Sequence, residues 1–209
     1  MPTPSPPRAI LFDAGNTLLR INYAAIAAQL AVLDSAATEE AVQRAEWRAR
    51  VRLDTEVFSG RAVSTESRAT AARYLELVLE EVGVTDASTV GAMTRWRARY
   101  NAPVGIFDVA DPAAHGALAA ARRAGLVTGV ISNSNGIIAG LLDTLGLLPY
   151  LDFVLDSGVV GIEKPDPRIF RMALDRAGVA PHEAVFVGDL YSIDVLGDRA
   201  VGIPAILLD

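Results

Sequence analysis

Residues 9–18 read Ala-Ile-Leu-Phe-Asp-Ala-Gly-Asn-Thr-Leu, and this stretch decides the fold. The apolar run from Ala9 to Phe12 stops at Asp13, and Gly15 follows two residues later. A short apolar run that ends at turn-forming residues predicts a buried strand. Similar runs lie at residues 126–131, 153–155, 184–187 and 204–208. The sequence therefore predicts one strand near its start and four more in its second half.

Helical patterns separate the later strands. One helix is predicted from Asp111, as its N-cap, to Gly125, and another from Asp166 to Gly178. In each case a proline follows the capping aspartate, and proline is favoured at the first helical position. Strand and helix alternate from about residue 108 onward, which predicts an α/β fold with a parallel sheet.

The stretch from residue 18 to residue 100 differs, because it contains no strand-like run. Apolar residues recur there at helical spacing and stop at Gly83. A second helix is predicted after Ser88 as its cap, and a third begins at Thr38. The predicted domains are a core of residues 1–17 and 101–209 and an all-helical insert of residues 18–100.

The composition limits the classes of function. The chain has 209 residues, 51% of them hydrophobic, so it can bury a core. It has no cysteine, which excludes a disulfide framework, a thiol nucleophile and a thiolate metal site. The net charge of -6 argues against a nucleic-acid partner, and the apolar stretches are too short to span a bilayer. The proline-rich N-terminal segment is more typical of an irregular tail than of a signal peptide, so we expect a cytoplasmic protein. The sequence does not indicate the oligomeric state.

Polar side chains follow four successive strands of the predicted sheet. In chain order they are Asp13, Ser132 with Asn133, Lys164, and Asp189 with Asp194. The carboxyl ends of parallel strands meet at one edge of a sheet, and ligands bind beyond that edge. Each residue alone is as readily explained by a turn, a helix cap or a surface position. Their joint occurrence, in order, predicts a single site.

The acidic members of this set suit a divalent cation. The carboxylates of Asp13 and Asp189 can bind Mg²⁺, with water molecules filling the other positions. Asp194 can hydrogen-bond to a metal ligand or to a metal-bound water and so orient it, without contacting the ion itself. We therefore expect Mg²⁺ as cofactor.

The remaining members suit a phosphoryl group. Lys164, the only lysine among 19 basic residues, supplies a compact positive charge. That charge lets the Asp13 carboxylate approach a phosphoryl group and attack it, forming an intermediate of the aspartyl-phosphate kind. Ser132 offers a hydroxyl, and Asn133 an amide, to an anionic oxygen.

The motifs resemble those of the haloacid dehalogenase superfamily, in particular its members with a helical cap inserted after the first strand. The matching segments are residues 10–18, residues 130–133, residues 164–167, and residues 187–189 with Asp194. The resemblance implies a Rossmann-like core and a mobile cap that closes over the site and selects a small phosphorylated substrate.

The resemblance also implies roles for individual residues. Asp13 is the expected nucleophile, and Ser132 and Lys164 are expected to contact the phosphoryl group. Asp189 is the expected magnesium ligand, with the main-chain carbonyl of Gly15 as a further one.

Gly15 departs from the pattern of the family's phosphatases. They carry a second aspartate at this position, which acts as general acid and base and is typically worth ~10²–10⁴-fold in rate. Three hypotheses follow. The protein is a phosphatase whose acid comes from the cap or the substrate, or one restricted to good leaving groups; it is a carbon–halogen hydrolase, although the dehalogenases carry tyrosine there; or it is an inactive binding protein. We expect phosphate-ester hydrolysis with a low rate.

Overall fold

A five-stranded parallel sheet forms the centre of the core in the computed structural model, which describes residues 6–60 and 63–208. Most of the predicted N-terminal tail, residues 1–5, lies outside the described residues. The strands are β1 (Ala9–Phe12), β2 (Leu19–Arg20), β3 (Val109–Ala110), β4 (Val127–Ser132), β5 (Phe153–Asp156), β6 (Ala184–Gly188) and β7 (Ala205–Leu207). The sheet order is β5-β4-β1-β6-β7, and every pairing in it is parallel. The predicted α/β class is confirmed, with β1 as the central strand.

The helices fall into two groups along the chain. The first group is α1 (Tyr23–Val32), α2 (Glu39–Arg52), α3 (Arg68–Val82) and α4 (Ala87–Arg97). The second is α5 (Ala114–Arg123), α6 (Ile138–Thr144), α7 (Ser157–Val160), α8 (Pro167–Ala177) and α9 (Leu196–Arg199). In the described part of the chain, no helix combines the length and the apolar character needed to cross a bilayer.

Two predicted helix starts are wrong by about two residues. Helix α4 is capped by Asp86 instead of Ser88, because the Asp86 carboxylate accepts a hydrogen bond from the Thr89 N–H at 2.8 Å. Helix α5 begins at Ala114, because the Asp111 carboxylate binds the Ala113 N–H and closes a turn that precedes the helix. The predicted caps at Thr38 and Asp166 are confirmed.

Aromatic packing under the sheet fixes the strands that lead to the predicted site. Phe170 of α8 and Phe186 of β6 are fully buried and pack edge to face, with ring centroids 5.4 Å apart. Leu11 of β1 and Ile131 of β4 belong to the same apolar cluster. Burial of side chains of this size stabilises the core by roughly 1.5–3 kcal/mol each. The strands β1, β4 and β6, whose carboxyl ends carry the predicted site, are therefore held in place by packing within the apolar core.

The chain divides into two compact units. One consists of Met1–Arg20 and Val109–Asp209, and the other of Ile21–Asp108. This second unit begins at residue 21 instead of the predicted 18 and ends at residue 108 instead of the predicted 100. The reason is that β2 pairs antiparallel with β3, with Leu19 opposite Ala110 and Arg20 opposite Val109. We call the unit Ile21–Asp108, which contains α1 to α4, the helical unit.

Candidate active site

Asp13 follows the central strand directly. Its main-chain N–H donates to the carbonyl of Val187 at 2.8 Å, so the ladder between β1 and β6 continues one residue beyond β1. The chain then turns sharply, and the Leu18 N–H donates to the Ala14 carbonyl at 2.9 Å. Only 7% of the Asp13 surface is exposed. The sheet edge therefore holds this carboxylate in a fixed and largely dehydrated position.

Lys164 brings two of the predicted site carboxylates together. Its ammonium group donates to Asp13 Oδ1 at 2.5 Å and to Asp194 Oδ1 at 2.7 Å. The ammonium also lies 5.4 Å from the centre of the Phe186 ring, and the residue is 3% exposed. A buried cation that touches two buried carboxylates is an unusual arrangement, since each ion has lost its water.

Asn133 fixes the main chain of Lys164. Its side-chain amide donates to the Lys164 carbonyl at 2.9 Å, and its side-chain oxygen accepts from the Lys164 N–H at 2.7 Å. The sequence predicts that the Asn133 amide binds an anionic oxygen of the ligand. In the structure this amide instead binds the main chain of Lys164. Ser132, at the end of β4, is buried, and its hydroxyl donates to the Asn133 carbonyl at 3.3 Å.

Asp194 organises the turn after β6. Its Oδ2 atom accepts hydrogen bonds from the main-chain N–H groups of Asp189 and Leu190, both at 3.1 Å. Any side chain at Gly188 would overlap the Asp194 carboxylate, which explains the glycine there. Since its Oδ1 atom accepts from Lys164, both oxygens of Asp194 are already engaged within the protein.

Asn16 is a site residue that the sequence reasoning missed. Its side-chain amide donates to Asp189 Oδ2 at 3.2 Å, although the two residues belong to different strand ends. Asn16 adopts the left-handed conformation, with φ of 50°, which asparagine tolerates better than most residues. An asparagine beside a glycine in the turn after β1 was the only local signal.

The charges of the site are strongly coupled. Burial, reinforced by repulsion from Asp194, raises the pKa of Asp13 to about 6, although Lys164 opposes the shift. Burial alone would lower the pKa of Lys164, but the carboxylates of Asp13 and Asp194 outweigh it and hold that pKa above its ordinary value. Lys164 therefore stays charged at neutral pH, and the three carboxylates including Asp189 outnumber it.

The donor set fits a magnesium ion. Carboxylate oxygens of Asp13, Asp189 and Asp194 lie within 4.8 Å of one another. Hard oxygen donors are the ligands that Mg²⁺ prefers, and an excess of negative charge favours a cation. Because both oxygens of Asp194 are engaged, Asp13 and Asp189 are the better direct ligands. Gly15, in the turn beside them, offers only main-chain atoms.

A family model for haloacid dehalogenase-like hydrolases matches residues 7–202. The chain belongs to this family. The predicted membership of the haloacid dehalogenase superfamily is thereby confirmed. The match covers all the site residues described above, from Asp13 to Asp194.

Several curated members of the haloacid dehalogenase family are similar to this chain. Haloacid dehalogenase-like hydrolase domain-containing protein 3 from Mus musculus is 48% identical over 87 residues, and the match covers 42% of this chain and 35% of the relative. The phosphoserine phosphatase of Thermus thermophilus is 46% identical over 99 residues, covering 47% and 40%. The chain thus spans less than half the length of these two relatives. The Xenopus laevis form of domain-containing protein 3 is 31% identical over 210 residues, covering 96% and 84%.

Solved structures of family members share the fold. A haloacid dehalogenase-family phosphatase from Thermococcus onnurineus matches with a TM-score of 0.57 and 23% identity, over 97% of this chain and 86% of that one. A 2-haloacid dehalogenase from Pseudomonas syringae matches with a TM-score of 0.54 and 28% identity, over 96% and 86%. A phosphatase and a dehalogenase are therefore both among the structural neighbours.

Proposed function

We propose that this protein is a magnesium-dependent phosphatase that hydrolyses a small phosphorylated metabolite through an aspartyl-phosphate on Asp13. The observation that carries the proposal is the buried Lys164 ammonium bound to the carboxylates of both Asp13 and Asp194. A lysine so placed neutralises the repulsion between a carboxylate nucleophile and a phosphoryl group. The similarity to a phosphoserine phosphatase supports phosphate esters as the substrate class.

In the first half-reaction, Lys164 holds Asp13 Oδ1, so the other oxygen of Asp13 is the attacking atom. A bond forms between that oxygen and phosphorus while the bond from phosphorus to the ester oxygen breaks. The leaving alkoxide needs a proton, and Gly15 has none to give. The proton must come from the substrate, from water or from the proposed cap, which favours good leaving groups.

In the second half-reaction, a bond forms between the water oxygen and phosphorus while the bond from phosphorus to the Asp13 oxygen breaks. Inorganic phosphate leaves, the second proton of the water passes to phosphate or solvent, and the Asp13 carboxylate is restored. Lys164 continues to offset the charge on the phosphoryl oxygens. Asn133 keeps the lysine main chain in place, while Asp194 positions its ammonium. Ser132 is the proposed hydroxyl contact to a phosphoryl oxygen.

Asp13 and Asp189 are the proposed magnesium ligands, with the Gly15 carbonyl as a third, and Asp194 supports the site from behind. When bound, Mg²⁺ would offset the negative charge of the phosphoryl oxygens and reduce the repulsion among the carboxylates of the site. Asn16 restrains the Asp189 carboxylate through the bond to Oδ2. We further propose that the helical unit acts as the cap that selects the substrate.

Carbon–halogen hydrolysis is a second candidate, favoured by Gly15 because halide leaves without a proton. The 28% identity to a 2-haloacid dehalogenase is consistent with it. Halide release from a short 2-haloacid without added metal would decide for this reaction over phosphate-ester hydrolysis.

The test of the phosphatase proposal is hydrolysis of an activated aryl phosphate with Mg²⁺ and with EDTA. The Asp13→Asn variant should lose at least about a thousandfold in rate, as expected when a nucleophile is removed. Asp143→Asn, at an exposed position of α6, is the matched control and should keep the wild-type rate. Equal rates for Asp13→Asn and wild type would exclude Asp13 as nucleophile.

A further inference from the structure

Arg97, the last residue of α4, is a half-buried cation without a salt bridge among the described residues. Its Nε atom is shielded from water and has no hydrogen-bond partner there. Burial lowers the pKa of Arg97, with Glu66 and Tyr74 opposing the shift. The guanidinium group has therefore lost part of its hydration and gained no direct pairing in return, which is unfavourable unless something else binds it.

The buried carboxylate of the helical unit cannot serve as the missing partner, because it is saturated. Glu46 Oε1 accepts from the Tyr74 hydroxyl and lies 3.3 Å from Arg50 Nε. Glu46 Oε2 accepts from the Tyr23 hydroxyl at 3.1 Å. This buried carboxylate is thus matched by Arg50, and among the described acidic residues Arg97 is left with only the more distant charge of the exposed Glu66.

Other arginines of the helical unit either form salt bridges or are exposed to solvent. Arg48 and Arg52 of α2 bind Glu81, and Arg73 of α3 binds Glu80 at 2.7 Å. Arg95, two residues before Arg97, is exposed and remains hydrated. The partial burial of an unmatched cation therefore distinguishes Arg97 from these neighbours.

We propose that Arg97 is an oxyanion-binding residue of the helical unit, which takes the carboxylate or phosphate group of a small acidic metabolite. The guanidinium group offers parallel N–H donors that match both kinds of oxyanion. Because the Nε side of the group is already buried, less side-chain freedom is lost when the anion binds. A partly buried cation that serves to bind a ligand lowers the free energy of unfolding when no ligand is bound.

The test uses the full chain in EDTA and needs no turnover, so its outcome is independent of the phosphatase proposal. The sequence has two tryptophans, and Trp47→Phe leaves Trp96, the neighbour of Arg97, as the fluorescent reporter. Titration with succinate and with inorganic phosphate should each give a saturable change. Arg97→Met should weaken both affinities by about tenfold or more, and Arg97→Lys should weaken them less.

Arg95→Met is the matched control on the same helix and should bind both probes like the parent. Arg97→Met should unfold at the same temperature as the parent or higher without ligand, because it removes an unmatched cation. A loss of stability in Arg97→Met would instead mark a structural residue and overturn the proposal. So would the absence of saturable binding, unchanged binding in Arg97→Met, or binding that Lys164→Met abolishes while Arg97→Met retains it.

Discussion

Lys164 and Asp194 are joined by a buried hydrogen bond of 2.7 Å between the ammonium Nζ and Oδ1. The same carboxylate holds the two N–H groups of the turn after β6 through its other oxygen. Asp194 thus couples the lysine that faces Asp13 to the turn that carries Asp189. The cation and the proposed metal ligand are positioned by one side chain.

Lys164→Met should destabilise the metal-free protein by about 3–5 kcal/mol, because it leaves the carboxylates of Asp13 and Asp194 buried without a counter-charge. Mg²⁺ should restore part of the loss by supplying positive charge. Urea unfolding in EDTA and in Mg²⁺ measures both effects. Arg168→Met, which removes an exposed ion pair with Asp166, should cost far less, because exposed ion pairs contribute little to stability. Equal losses in the two variants would contradict the account.

Asn133→Ala should lower kcat by roughly 10–100-fold without abolishing activity, since Asn133 acts through the main chain of Lys164. The effect should fall on kcat more than on KM, as the loosened lysine serves the transition state. Steady-state kinetics with an aryl phosphate provide the measurement. Ser134→Ala, one residue later, is the control. A change confined to KM would instead indicate that Asn133 binds substrate.

Gly15→Asp should restore a proton donor beside Asp13. For alkyl phosphates, whose leaving groups need a proton, the rate should rise by about 10²–10⁴-fold. For aryl phosphates with acidic leaving groups the rate should change little. Comparison of kcat/KM for the two substrate classes tests this selectivity. An equal gain for both classes would show that the introduced carboxyl group acts by some means other than protonation of the leaving group.

The pH dependence of stability should carry the signature of Asp198, a fully buried residue whose carboxylate oxygens have no partner among the described residues. Burial, together with the charge of Asp194, raises the pKa of Asp198 to about 7, although the main chain and the charge of Arg199 oppose the shift. The folded state therefore binds more protons than the unfolded state between about pH 4 and pH 7. The free energy of unfolding should fall as pH rises through that window, at most by about 1.4 kcal/mol per pH unit for this group.

Asp198→Asn, which cannot ionise, should show a smaller fall than wild type when unfolding is measured in EDTA. The pKa of Asp13, raised to about 6, contributes in the same direction and remains in the variant. Asp143→Asn, at an exposed position, is the control. Identical pH profiles for wild type and Asp198→Asn would show that the buried carboxyl does not titrate in this range.

The strands and the strand-end residues were accessible from sequence because their signals are local. The apolar run before Asp13 and the glycine after it define a strand and its turn without knowledge of the rest of the chain. In a parallel sheet the strand ends share an edge, which brings Asp13 and Lys164 together although 151 residues separate them. The helix periodicity that ends at Gly83 was equally local, and α3 ends there.

Features that depend on unique packing were not accessible. Asp86 and Ser88 are both good caps, and only the geometry selects Asp86. The bond from Asn16 to Asp189 joins two turns whose distance no periodicity encodes. The burial of Asp198 and Arg97 runs against the usual preference of charged residues, so composition alone would place them at the surface.

The most direct test of the central claim is detection of the phosphoryl group on Asp13. Turnover of an aryl phosphate in Mg²⁺ is stopped with acid, and the digested protein is analysed by mass spectrometry. We expect a phosphorylated peptide that contains Asp13 in the wild type and no such peptide in the Asp13→Asn variant. Turnover at an undiminished rate in Asp13→Asn, or a phosphoryl group on another residue of wild type, would contradict this expectation.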